Sequence, residues 1–182
     1  MRTLLPVALL ALLACGSPQV LPRLAPGVQM SSITVTSPMF SEGGQVPIDQ
    51  SCDGKDIVPE LVVSSPPDNT KSLLLLVDDP DSASGAFTHL IAFNIPPDTR
   101  KIPSTPDLSS LGDQIRIGTN DFHAVRYSGP CPPKGEQHRY RFRIIALDTT
   151  LKLPDGASRA DLDVAIDQHV LAEGILTANF GH

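Results

Sequence analysis

KSLLLLVDDPDS, residues 71–82, sets five apolar residues in a row directly before three carboxylates. Leu73 to Val77 has no polar face, the pattern of a strand covered on both sides in the middle of a sheet. Asp78, Asp79 and Asp81 then stand at the mouth of that buried strand. Residues two apart on extended chain share a face, which predicts Asp79 and Asp81 together and Asp78 opposite. Pro80 fixes its own φ and biases Asp79 toward extended geometry. Two carboxylates held side by side repel, so they need a shared proton or cationic and donor neighbours.

The flanking segments carry the same signature. THLIAFNIP (88–96) is a second apolar strand, ended by Pro96-Pro97 because strand interiors exclude proline. HRYRFRIIALD (138–148) alternates, with Tyr140, Phe142 and Ile144 on one face and Arg139, Arg141 and Arg143 on the other. SSITVTSP (31–38), IVPELVVSS (57–65), DQIRIGT (113–119) and ILTANF (175–180) read as further strands. Residues 97–112 read as loop. SRADLDVAIDQHVLAEG (158–174) reads as a helix: Ser158 caps it with Asp161, Leu162, Ile166, His169 and Val170 form its apolar stripe, and Gly174 closes it. The sum is a mainly β fold, a largely antiparallel sandwich with one or two helices.

A chain of 182 residues with 41% hydrophobic content has material for one core. Its net charge of -6 and lack of a basic stretch argue against a nucleic-acid partner. MRTLLPVALLALLACGSPQV (1–20) opens with Arg2 and an apolar run from Leu4 to Ala14, a secretory pattern too short to span a bilayer. Leu12-Leu13-Ala14-Cys15 resembles the lipobox of bacterial lipoproteins, which implies lipidation at Cys15. The expected organisation is a signal peptide over 1–14, a flexible tether over 15–31 and the domain over 32–182. The expected place is the bacterial cell envelope, outside the cytoplasm, with the membrane engaged through the N-terminal lipid. Gly16, rather than Asp, follows the cysteine and resembles a signal for transport to an outer membrane. Cys52 and Cys131 then remain, either bridged or as two separate buried thiols. A bridge closes a loop of about 80 residues, worth on the order of 4 kcal/mol in the chain-entropy model.

Several polar residues could meet the acids. His89 heads the second strand, and His138 and Tyr140 share one face at the start of theirs. GPCPPKG (129–135) beside them is stiffened by Pro130, Pro132 and Pro133. If these strand ends converge, the carboxylates accept from the imidazoles and His and Tyr donors face a small hollow suited to phosphate or carboxylate. No activated nucleophile is visible, so a binding protein without cofactor is expected rather than an enzyme. Two alternatives are a protein-level inhibitor of a protease, acting through 97–112, and a metal-dependent hydrolase with Asp79, Asp81, His89 and His138 as ligands.

SCDGKDIVPEL, VDDPDS…THLIAFNIP, GTNDF…YSGPCPPKGEQHRYRFRIIALD and DQHVLAEGILTANF occur in the order, and at about the spacing, seen in one known family. Over residues 34–180 the chain resembles the phosphatidylethanolamine-binding proteins, and within them the bacterial Raf kinase inhibitor-like branch called YbhB/YbcL. The resemblance implies two antiparallel sheets with peripheral helices and a shallow, metal-free anion pocket at one end. It implies that Asp79, Asp81, His89, His138 and Tyr140 form the pocket, with Pro132 and Pro133 as a wall. It implies phosphate-like and carboxylate ligands, including phospholipid head groups. Arg139 is expected to be structural, pointing away from His138 and Tyr140. The chain departs from the pattern where Phe87-Thr88 precede His89 in place of tryptophan, which implies a less aromatic rim, and where His123 follows NDF in place of a common glycine.

Overall fold

The computed structural model describes residues 31–182 together with Arg23, Leu24 and Gly27. The signal peptide, Cys15 and most of the tether lie outside the described residues. Nine strands and one α-helix follow one another: β1 (Ser31–Ser32), β2 (Val35–Thr36), β3 (Leu61–Val63), β4 (Ser72–Asp79), β5 (Phe87–Ile95), β6 (Lys101–Ile102), β7 (Arg116–Ile117), β8 (Gln137–Leu147), α1 (Arg159–Ile166) and β9 (Val170–Gly181). They form a six-stranded sheet in the order β1-β9-β8-β4-β5-β7 and a three-stranded sheet in the order β2-β3-β6. All pairings between these strands are antiparallel except β1 with β9.

β4 lies between β5 and β8, and every one of its residues is buried. Its alternation feeds two cores. Leu73, Leu75 and Val77 pack with Leu90, Ala92, Tyr140, Phe142 and Ile144 on one face, where the small sheet contributes Val35, Leu61 and Val63. Leu74 and Leu76 pack with Ile91, Phe93 and Ile145 on the other, beneath Leu162 and Ile166 of α1. A run with no polar face is therefore what this position demands.

The predicted strand at 31–38 is broken in two. β1 pairs with β9 in the large sheet and β2 with β3 in the small one, so the chain changes sheets between Ser32 and Val35, as strands do at a sandwich corner. Here Ile33 passes close over β9, and a Cβ on Gly174 would collide with the Ile33 carbonyl oxygen. Gly174 is thus a close-approach residue within a strand, not the end of a helix.

The predicted helix is also shorter. Its start holds, with Ser158 and Asp161 forming a reciprocal capping box. It ends at Ile166, and Gln168 turns the chain with a φ of 66°. From Val170 the chain pairs with β8 along that strand's whole length. Those ladder hydrogen bonds outweigh the helical spacing of His169 and Val170, a tertiary override of a local pattern. Within the tether, Arg23 bonds the Asp167 carboxylate (2.9 Å) and Leu24 bridges in parallel to Val170.

Candidate anion site

The β4–β8 register places Asp78 opposite Arg141, and the arginine row of β8 supplies counter-charges to the acids. Asp78, fully buried on the α1 side, accepts from Arg141 Nε (2.6 Å) and Nη2 (2.9 Å) and from Arg143 Nη1 (3.2 Å). Arg143 also reaches Glu173 (2.7 Å). Asp81 accepts from the main-chain N–H (2.8 Å) and the guanidinium Nε (2.9 Å) of Arg139. The Arg139 guanidinium holds the Asp81 carboxyl down to about 2. Asp79 faces the inner core and accepts from His138 Nδ1 (2.7 Å) and from the Asp81 N–H (2.8 Å).

Asp79 and Asp81 therefore do not present their carboxylates together. β4 ends at Asp79 and the chain turns at Pro80-Asp81, so face-sharing at i and i+2 no longer holds. Asp81 serves the site through its backbone N–H, while Arg139 locks its side chain outside.

His138 sits between two acids. Nδ1 bonds Asp79, and Nε2 lies 3.2 Å from Glu136 Oε2. The hydrogen bond to Asp79 is the main cause of a raised His138 pKa, with Glu136 adding to it against the effect of burial. Tyr140, two residues on, is fully buried, and its ring meets His89 edge-on at 5.2 Å. Its hydroxyl makes no well-formed hydrogen bond among the described residues, and its polar neighbours are the Asp79 carboxylate and the Cys131 main chain. Burial first, and the nearby Asp79 charge second, push its pKa up.

His89 reaches this face through a break in β5. Val77 pairs with Leu90 and Asp78 with Thr88, which leaves His89 as the extra residue of a β-bulge. Strict alternation from inward-facing Leu90 would turn His89 toward α1; the bulge re-aims it toward Tyr140. His89 Nδ1 donates to the carbonyls of Ser128 (2.6 Å) and Gly129 (3.1 Å). Carbonyls only accept, so Nδ1 carries the proton and Nε2 of the neutral ring bears a lone pair. The predicted imidazole-to-carboxylate bond is thus made by His138 and not by His89. Burial lowers the His89 pKa.

The segment that holds His89 is itself held. Buried Asn120 donates through Nδ2 to the carbonyls of Arg126 (2.9 Å) and His89 (3.3 Å) and to Ser128 Oγ (3.0 Å). Sequence reasoning assigned Asn120 no role, although it stands in the GTNDF stretch that carried the resemblance. Phe122 was missed as well. It packs on Phe87 at 4.8 Å and on His89 at 5.3 Å, so two phenylalanines frame the histidine where tryptophan is absent.

Cys52 and Cys131 are joined, with 5.5 Å between their Cα atoms. Cys52 N–H also donates to the Pro130 carbonyl (3.1 Å), and Tyr127 Oη to the Gln50 carbonyl (2.9 Å). His182 spans the same two loops, from Asp53 (2.7 Å) to the Pro132 carbonyl (2.8 Å). These ties fix the Ser128 and Gly129 carbonyls that orient His89. Pro132 is buried beside them and Pro133 is exposed.

The four residues considered as metal ligands do not converge, since Asp81 is turned to Arg139 and both nitrogens of His138 meet carboxylates. Among the described residues no group of three or more His, Cys, Asp or Glu side chains is placed to hold a metal ion. Residues 97–112 are partly laid against the small sheet through β6.

The sequence model of the phosphatidylethanolamine-binding protein family matches residues 36–181. The UPF0098 protein PH1269 of Pyrococcus horikoshii is 41% identical over 97% of this chain and 88% of its own. A Mycobacterium tuberculosis protein named "Putative lipoprotein LppC" is 35% identical over 85% of this chain and 75% of its own. The crystal structure of Escherichia coli YbcL, described as a member of the mammalian PEBP family, superposes with a TM-score of 0.77 at 28% identity, covering 84% of this chain and 99% of that one. No helix among the described residues is long and apolar enough to cross a membrane.

Proposed function

Because the chain belongs to the phosphatidylethanolamine-binding protein family, we propose that it is a lipid-anchored, extracytoplasmic binding protein whose pocket takes a small anion and performs no bond chemistry on it. The anion is a phosphate or carboxylate, free or carried by a phospholipid head group. One observation carries this reading: the Tyr140 hydroxyl is buried beside the Asp79 carboxylate and the Cys131 main chain, yet makes no well-formed hydrogen bond among the described residues. A buried hydroxyl left unpaired costs about 1–3 kcal/mol, and a ligand oxygen would remove that cost.

The surroundings favour an anion. Asp79 holds a proton on His138 and so promotes its cationic form, while its own charge is taken up by His138 and the Asp81 N–H. His89 leaves Nε2 unengaged, and a nearby anion favours uptake of a proton from solvent on that nitrogen, which turns its lone pair into a donor. The Ser82 and Ser84 hydroxyls bond each other at 3.1 Å in the exposed turn and bond no His, Asp or Glu side chain among the described residues, which favours binding over catalysis. The Leu12–Cys15 stretch and the lipoprotein name of the mycobacterial relative support the anchor.

Calorimetric titration with phosphate, acetate and a short-chain phosphatidylethanolamine tests the pocket. Tyr140→Phe should leave the unliganded melting temperature unchanged or raised, while phosphate affinity falls about tenfold or more, the scale of a hydrogen bond to a charged group. Absence of any heat or melting shift with all three ligands would reject the reading. Mass spectrometry of membrane-extracted protein tests lipidation at Cys15, and metal analysis of the same sample tests the hydrolase alternative.

A further inference from the structure

We infer that Glu136 is a built-in competitor for the anion, its carboxylate bound to the ring nitrogen of His138 that an arriving anion must take. This rests on the anion reading above and adds how the site sets its affinity. Glu136 stands two residues before His138 at the start of β8, so extended chain puts both on one side. Its Oε2 lies 3.2 Å from His138 Nε2, while the other ring nitrogen is bound to Asp79 at 2.7 Å.

The two carboxylates differ in what holds them. The Asp79 side chain is 6% exposed and also accepts the Asp81 N–H, whereas the Glu136 side chain is 59% exposed and has His138 as its one described partner. The main chain of Glu136 is fixed: its N–H donates to the Pro133 carbonyl (3.0 Å), and its own carbonyl is packed so closely on Gly181 that a Cβ there would collide. Displacement therefore needs only rotation of the Glu136 side chain, with no movement of the proline loop.

The competition sets how tightly the site binds. A tethered carboxylate acts at a high effective concentration, in the millimolar range or above for short links. It therefore lowers the apparent affinity of every anion that takes His138 Nε2 by a common factor. Once displaced, Glu136 stays close by, and its charge repels a dianion such as phosphate more than a monocarboxylate. Glu136 thus raises the threshold for any anion, and most for the dianion.

Titration of the full chain with inorganic phosphate and with acetate tests this on wild type, Glu136→Gln and the control Asp68→Asn. Asp68 is exposed and precedes β4 at its far end, so its removal changes net charge by the same amount away from the site. Glu136→Gln should bind both anions about three- to tenfold tighter, the scale of a part-exposed ion pair plus relief of like-charge repulsion. The gain should be at least as large for phosphate as for acetate, and Asp68→Asn should match wild type. An unchanged or weaker affinity in Glu136→Gln, or an equal gain in Asp68→Asn, overturns the competitor role while leaving the pocket in place. If the folded wild type and Glu136→Gln both fail to bind either anion, the pocket reading falls and this inference with it.

Discussion

His123 shows how much one backbone angle can carry. It adopts a φ of 61° in the turn whose side-chain hub is Asn120, the left-handed region that favours glycine. That angle is a physical reason for the glycine the family resemblance leads one to expect there. His123→Gly should stabilise the fold by up to about 1 kcal/mol after the extra chain entropy of glycine is counted, read as a raised melting temperature. The two site histidines have opposite pH signatures. His138 has a raised folded pKa, so its contribution to stability is fully present below about 6.5 and is lost as pH rises through the folded value. His89 has a lowered folded pKa, so its contribution is present above about 6.5 and is lost as pH falls. Asp79→Asn should bring the His138 titration, followed by NMR, back toward the ordinary histidine range and weaken phosphate binding at neutral pH. At this scale His138, Tyr140 and Asp79 are legible from spacing, because i and i+2 positions in a strand share a face. Asp81 is misread, because the turn that follows Pro80 is set by Arg139 on another strand.

Among the elements, β8 is the organiser. One face carries His138, Tyr140 and Phe142 into the inner core; the other carries Arg139, Arg141 and Arg143 to three acids. Asp78 is the member with no exposure, and it answers two guanidinium groups. Asp78→Ala should cost about 3 kcal/mol in urea unfolding, because it leaves Arg141 without its partner and Arg143 with Glu173 alone. The loop pair closed by Cys52–Cys131 works on the site from a distance, by fixing the carbonyls that hold the His89 proton. Cys52→Ser with Cys131→Ser should lower stability by about 4 kcal/mol. The same pair should weaken phosphate binding, which titration below the variant's melting range would read. The helical pattern of residues 158–174 was legible only as far as Ile166, since a 3.6-residue stripe continues by coincidence into residues that β8 draws out as β9.

For the molecule as a whole, β4 is the keystone of both cores, and Leu75→Ala should cost about 2–5 kcal/mol by opening a cavity between the sheets. The sandwich, the central position of β4 and the strands β5 and β8 beside it follow from the sequence by itself, because burial on one face or two leaves a periodicity of two or an unbroken apolar run. The apolar run also says that the acids stand at a strand end. Only the tertiary structure decides which counter-charge each acid receives, because cross-strand register joins residues some 60 positions apart. It alone turns His89 inward, since a bulge arises from the pairing of β4 with β5 and leaves no mark in the alternation of β5. It alone leaves the Tyr140 hydroxyl without a well-formed hydrogen bond among the described residues, since satisfaction of a buried donor depends on every element packed around it.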